Sequence, residues 1–257
     1  MTKTVVVTWL CGGTGDRFGD ILLRRIGSHL GLAWRVIDAS TPPGIPKARS
    51  IALNPELLPA TPTPEVAALI RLTPLRDHEE YRRYRGLVSA RGLAQAPFMT
   101  TIAAFLKLSE FKEAIEGDVR MCAEAVGGAE HLFFVTISSG LGATGTPAAR
   151  VAGLAFRLAA RGAYLPNGAR WLHVFVTSSV LGDACRTRRT LTLEHRQLEE
   201  IETLMSPGAA LRVPGQLEPI HFPGPDALIV VASSPEAPRT LDDAADELCA
   251  VITHWLN

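Results

Sequence analysis

His131-Leu132-Phe133-Phe134-Val135-Thr136-Ile137-Ser138-Ser139-Gly140-Leu141-Gly142-Ala143-Thr144-Gly145-Thr146 decides how this chain folds. His131 to Ile137 is a short, strongly apolar run of the kind that forms a buried strand. The residues after it are small, and Ala148 to Ala160 then reads as a small-residue helix. A strand that passes through small residues into a helix is the repeating unit of a parallel α/β sheet. The N-terminal region repeats the unit. Val5 to Leu10 is an apolar run that stops at Gly12-Gly13, which predicts a buried parallel strand. Arg17 to Leu30 follows with Phe18, Ile21, Leu22, Ile26 and Leu30 at helical spacing.

Further strands are expected at Ala33 to Ile37, ending at Asp38, at Trp171 to Thr177 and at Ala227 to Ala232. A long amphipathic segment runs from Pro97 to about Val126, and helices are expected from Thr190 to Met205 and from Leu241 to Leu256. This alternation predicts one α/β domain over residues 1–257: a three-layer, Rossmann-like, mostly parallel sheet with helices on both faces. Seven prolines between residues 41 and 65 predict an irregular surface excursion. The arginine-rich stretch 72–92 reads first as a solvated helix, with a polyanion-binding patch as the sharper alternative.

Composition narrows the functional classes. At 257 residues and 47% hydrophobic, the chain can build a core without a metal or disulfide staple. Lys plus Arg and Asp plus Glu both number 26, so the net charge is zero, which argues against a general nucleic-acid surface. Cys11, Cys122, Cys185 and Cys249 form no metal-like cluster, so reduced thiols in a cytoplasm are expected. No apolar run reaches the length of a membrane span. The seven histidines show no metal spacing, and no metal-binding residues are expected. His131 and His173 read as core or edge residues of strands. A nucleophile elbow needs GxSxG, which is missing; Ser138 and Ser139 are therefore expected to shape the loop, and no catalytic residue is assigned.

The chemistry lies in two glycine loops. In the first, Gly12, Gly13, Thr14, Gly15, Asp16 and Arg17 precede Phe18 and Gly19. Small residues between strand and helix let backbone N–H groups approach an anion, and the helix dipole adds partial positive charge. In the second, Ser139, Gly140, Gly142, Ala143, Thr144, Gly145 and Thr146 occupy the same position relative to their strand. No lysine follows Gly145, so this is not a Walker loop. Both loops fall at carboxyl ends of strands, where open α/β sheets bind ligands. Two loops in one crevice suggest a shared grip on one polyphosphate.

At these residues the chain resembles the tubulin superfamily, which includes the bacterial division GTPase FtsZ. Gly142-Ala143-Thr144-Gly145-Thr146-Pro147-Ala148-Ala149 is similar to the family signature GGGTGTGAA. Gly12 to Gly19 looks like the tubulin loop GQxGNQIG, and Arg91-Gly92-Leu93-Ala94-Gln95-Ala96-Pro97 is similar to the RGLGAGADP segment near the terminal phosphate. The resemblance implies phosphate contacts that include Ala94 and Gln95, a ribose contact at Asp183, and a guanine-reading acid at Asp243 or Asp242. It implies GTP or GDP as the bound nucleotide, Mg²⁺ carried with the triphosphate, and a role as a switch or assembly module through self-association or a protein partner. Leu141, Ala143 and Pro147 stand where the family has glycine, and Pro147 offers no N–H. The family's NxDxxD activating loop does not occur, so GTP hydrolysis is expected to be slow or absent.

Two other functions fit parts of the pattern. Gly13-Thr14-Gly15 with Asp38 as a ribose acid suits an NAD(P)-dependent oxidoreductase, although no Tyr-x-x-x-Lys pair is present. Strand-end Thr-Gly loops with the arginine-rich segment 72–92 suit a CRISPR-associated Rossmann-type sensor of cyclic oligoadenylate.

Overall fold

A computed structural model describes residues 3–71, 73, 75, 77–88, 96–161, 168–182, 186–205, 210–211, 220–221 and 224–256. Strand β1 (Thr4–Cys11) is followed by helix α1 (Gly12–Ile26), β2 (Leu32–Asp38) and β3 (Ser50–Ala52). Next come α2 (Pro64–Ile70), α3 (His78–Leu87), α4 (Pro97–Leu106) and α5 (Leu108–Ala125). The second half runs β4 (His131–Ser139), α6 (Gly145–Arg161), β5 (Arg170–Val176) and α7 (Arg188–Met205). Two short strands, β6 (Ala210–Leu211) and β7 (Ile220–His221), form an antiparallel pair before β8 (Ala227–Val231) and α8 (Leu241–Leu256).

The main sheet has six strands in the order β3-β2-β1-β4-β5-β8, and every pairing in it is parallel. From β1 the chain steps outward to β2 and β3; from β4 it steps the other way to β5 and β8. The order therefore reverses between β1 and β4, the switch point at which open α/β sheets leave a crevice beyond their carboxyl ends.

All eight residues of β1 are buried, as a strand covered on both faces requires. Its side chains alternate between two cores. Val5, Val7, Trp9 and Cys11 join the buried residues of α2 to α6, while Val6 and Leu10 join Phe18 and Leu22 of α1 and Ala244, Ala245, Leu248 and Ile252 of α8. This makes three layers: α1 and α8, the sheet, then α4, α5 and α6 with α2 and α3 beside them. Gly153 lets α6 come down on the sheet, since a Cβ there would lie 2.2 Å from the Trp171 ring.

Several boundaries differ from those read in the sequence. The amphipathic segment from Pro97 to about Val126 is two helices that break at Lys107. The proline-rich segment supplies β3, which pairs with β2 and buries Ile51, Leu53 and Leu58. Its anchor is a bidentate ion pair. Arg35 Nε and Nη2 donate to the nearly buried Asp118 carboxylate at 2.6 and 2.9 Å, and Arg35 Nη1 donates to the Ala48 carbonyl at 2.7 Å. Of the arginine-rich stretch 72–92, residues 78–87 form α3, with Arg82 and Arg83 exposed.

Candidate functional site at the strand-order reversal

No loop separates β1 from α1: the strand ends at Cys11 and the helix begins at Gly12. The helix thus starts five residues before the apolar periodicity shows it. Gly12 makes the corner at φ +74°, a left-handed conformation that favours glycine. Four other loop glycines are needed for close packing within the protein. A Cβ at Gly15 would meet the Ile137 carbonyl oxygen at 2.6 Å, and one at Gly19 would overlap the Leu10 side chain. A Cβ at Gly140 would meet Glu194 and Phe175, and one at Gly145 would lie 2.7 Å from the Cys11 carbonyl oxygen.

The two loops touch. A Cβ on Gly12 would lie 2.9 Å from the backbone nitrogen of Gly145. The N-termini of α1 and α6, helices of 15 and 17 residues, therefore converge at the switch point. Neither has an acidic residue in its first turn, and α1 has no side-chain cap. The first-turn N–H groups of α1, without a side-chain cap, and two positive dipole ends make this junction attractive to an anion.

Gly13 and Gly142 behave differently from the packing glycines. Both are exposed and neither has a positive φ. The nearest atom to a Cβ is 3.8 Å away at Gly13 and 4.0 Å away at Gly142. Packing does not require glycine at either place, and the space beside both is open. Thr14 and Thr144 are half-buried beside them, and Arg17 is exposed. Ala143, Gly145, Thr146 and Ser139 are buried. The Thr146 hydroxyl faces inward, 3.1 Å from Ser138 Oγ, leaving only backbone groups of that residue for a ligand.

Carboxylates border the site on the β2 side. The atom nearest a Gly13 Cβ is Asp38 Oδ2, and Asp38 Oδ1 accepts from the Ala39 N–H at 2.7 Å. Burial pushes the Asp38 carboxyl above its ordinary range, against that backbone hydrogen bond. Burial also raises Asp16, and the charges of Asp38 and Asp20 add to the effect. The Cys11 thiol is raised by burial and by Asp38, so it is an inert filler.

Helix α7 closes the opposite side. Gln197, 1% exposed, donates from Nε2 to the Gly142 carbonyl at 3.1 Å. Glu194 accepts from the Ser178 N–H at 2.6 Å, just beyond β5. Nothing in the sequence pattern distinguished Gln197 or Glu194, because their roles come from chain segments brought together only by folding.

Asp242 and Asp243 lie apart from the two loops. Asp242 accepts from Arg25, thirteen residues along α1 from Gly12, or about 20 Å at 1.5 Å per residue. Asp243 Oδ2 accepts from the Thr240 N–H and hydroxyl, while the Asp243 N–H donates to Thr240 Oγ1; this reciprocal pair caps α8. Those bonds hold the Asp243 carboxyl below its usual range. Ala94, Gln95 and Asp183 lie outside the described residues. Among the described residues no cluster of three metal-ligating side chains occurs, and no helix is long and apolar enough to cross a membrane. No family model and no curated protein matches the chain.

Proposed function

We propose that this protein binds a purine nucleoside triphosphate, GTP in the first place, as a tubulin/FtsZ-like switch or assembly module. The phosphates lie over the junction of Gly13-Thr14 and Gly142-Ala143-Thr144. One observation carries the reading: the N-termini of two long helices meet across the strand-order reversal, and the glycines left open there are not required by the fold. Backbone N–H groups in such an arrangement bind phosphate without a lysine. Mg²⁺ would accompany the triphosphate and complete its charge balance. The chain's own residues position the phosphates; binding, rather than turnover, is the activity assigned here.

A second reading has its own support. Asp38 ends β2 next to Gly13, where a ribose-binding acid stands in dinucleotide folds. A nicotinamide dinucleotide would use α1 for its pyrophosphate and Asp38 for its ribose. Denaturing the purified protein and chromatographing the released small molecules separates these readings. Thermal shifts with GTP, ATP and NADPH then rank them. A ligand at 100 times its Kd stabilises by about 2.7 kcal/mol. A GTP shift is expected; a shift with NADPH alone selects the second reading, and the absence of any guanine-nucleotide shift refutes the first.

A further inference from the structure

A buried chain of polar side chains runs from the sheet into the first turn of α6. Trp171 Nε1 donates to Thr136 Oγ1 at 2.9 Å, and Thr136 Oγ1 lies 2.8 Å from His173 Nδ1. His173 Nε2 lies 3.2 Å from Ser138 Oγ, which lies 3.1 Å from Thr146 Oγ1. Thr146 Oγ1 donates onward to the Ser139 carbonyl at 3.4 Å. Thr136, Ser138 and Thr146 are fully buried, and His173 and Trp171 are 1% exposed. An all-apolar core would pack here without the cost of burying five polar groups, so the chain has a specific consequence.

The hydrogens can be followed along it. The indole N–H only donates, so Thr136 Oγ1 accepts from it. The remaining hydrogens close in two senses that use equal distances: Thr136 donates to Nδ1 and Nε2–H to Ser138 Oγ, or Nδ1–H donates to Thr136, Thr136 to the Leu172 carbonyl at 3.4 Å, and Ser138 to Nε2. In the first sense the imidazole hydrogen sits on Nε2 and points to Ser138 Oγ. Ser138 donates to Thr146, and Thr146 to the Ser139 carbonyl, so each donor has an acceptor.

We propose that His173 is a positioning residue: its imidazole, carrying hydrogen on Nε2, orients the Ser138 and Thr146 hydroxyls and so holds the first turn of α6 and the second glycine loop in the shape that receives phosphate. The functional meaning rests on the nucleotide reading; the positioning itself does not. Burial, aided by the charge of Arg150, holds the imidazole down to about 3. It therefore stays neutral through the physiological range, and the chain's polarity is not reset by pH.

The test uses the full chain. Long-range ¹H–¹⁵N spectra of protein labelled at histidine report the tautomer of His173. Hydrogen on Nε2 is expected, and hydrogen on Nδ1 overturns the proposal. Two variants then separate positioning from packing. His173→Gln places an amide near Nε2 and keeps the bond to Ser138, whereas His173→Asn places one near Nδ1 and keeps only the bond to Thr136. Amide exchange at the start of α6 is expected to match the parent protein in His173→Gln. In His173→Asn it is expected to run up to about tenfold faster. Equal exchange in the two variants overturns the proposal, because a packing role alone would not distinguish them. GTP affinity should follow the same order. If the parent protein binds no GTP, the nucleotide reading fails, and the tautomer and exchange results still decide the role of His173.

Discussion

Gly145 and Gly142, three residues apart, should respond to substitution in opposite ways. In Gly145→Ala the new Cβ would lie 2.7 Å from the Cys11 carbonyl oxygen, 3.3 Å from Ser138 Cβ and 3.4 Å from the Ser139 nitrogen. Ordinary contact begins near 3.4 Å, so β1 and α6 must part by about 0.7 Å, and two of the three obstacles are backbone. Overpacking of this kind costs about 1–3 kcal/mol. Alanine's helical preference over glycine returns about 0.5–1 kcal/mol. The midpoints leave a net loss of about 1 kcal/mol, which lowers Tm by about 2–4 °C in a chain of this size. In Gly142→Ala the nearest atom is 4.0 Å away and φ is not positive. Reduced freedom of the unfolded chain then makes the change neutral or stabilising by up to about 1 kcal/mol. Thermal melts with and without GTP complete the assay. Gly142→Val should melt close to the parent protein yet lose the nucleotide shift, because its side chain occupies the space proposed for phosphate. An unchanged Tm for Gly145→Ala refutes the packing argument. A full GTP shift in Gly142→Val refutes the assignment of that loop to the ligand. From the sequence alone, Gly145→Val is expected to block ligand directly; in the fold its first obstacle is the protein's own backbone.

Two further outcomes follow from buried charges. Asp118→Ala leaves Arg35 largely buried without its carboxylate, and urea denaturation should show a loss toward the lower end of about 3–5 kcal/mol. The Arg35→Met, Asp118→Leu double variant should lose less than the single one, and a single-variant cost under about 1 kcal/mol would remove the pair as the anchor of the proline-rich segment. Asp38 and Asp16 have carboxyl groups raised by folding. The folded state therefore binds their protons more tightly than the unfolded one, and their contribution is most favourable below the unfolded carboxyl range and is lost as pH rises through the folded values. Asp38→Asn keeps an acceptor for the Ala39 N–H and should raise Tm at pH 7, with the gain shrinking toward pH 4. A lower Tm at pH 7 contradicts the burial cost assigned to Asp38.

Five of the six strands of the parallel sheet were legible in the sequence, the central ones because each is an apolar run. Val5 to Leu10 and Phe133 to Ile137 have few polar residues, since helices cover both faces of the sheet. The third strand was not legible: Ser50-Ile51-Ala52 is short, sits among prolines, and is held by Arg35 and Asp118 from distant parts of the chain. The start of α1 was hidden for a related reason. Glycine disfavours an isolated helix, so the sequence does not show one over Gly12 to Gly19, whose glycines pack closely against Leu10, Ile137 and Gly145 in the fold.

The same division runs through the candidate site. Glycines at the carboxyl ends of two strands are a sequence pattern, because a tight strand-to-helix corner demands small residues wherever it occurs. Which of those glycines serve packing and which are left open was decided by tertiary structure alone. Gly12, Gly15, Gly140 and Gly145 are pressed against other segments, and Gly13 and Gly142 are not. Likewise, the sequence reads Ser138 and Thr146 as parts of the glycine loop and His173 as a strand residue, and they become one hydrogen-bonded chain only when β5 lies beside β4 and α6 folds back across them. Local composition can specify a corner or a buried strand because those depend on neighbouring residues. The direction of a side chain and the space beside it depend on atoms far along the chain, and only the folded structure brings those together.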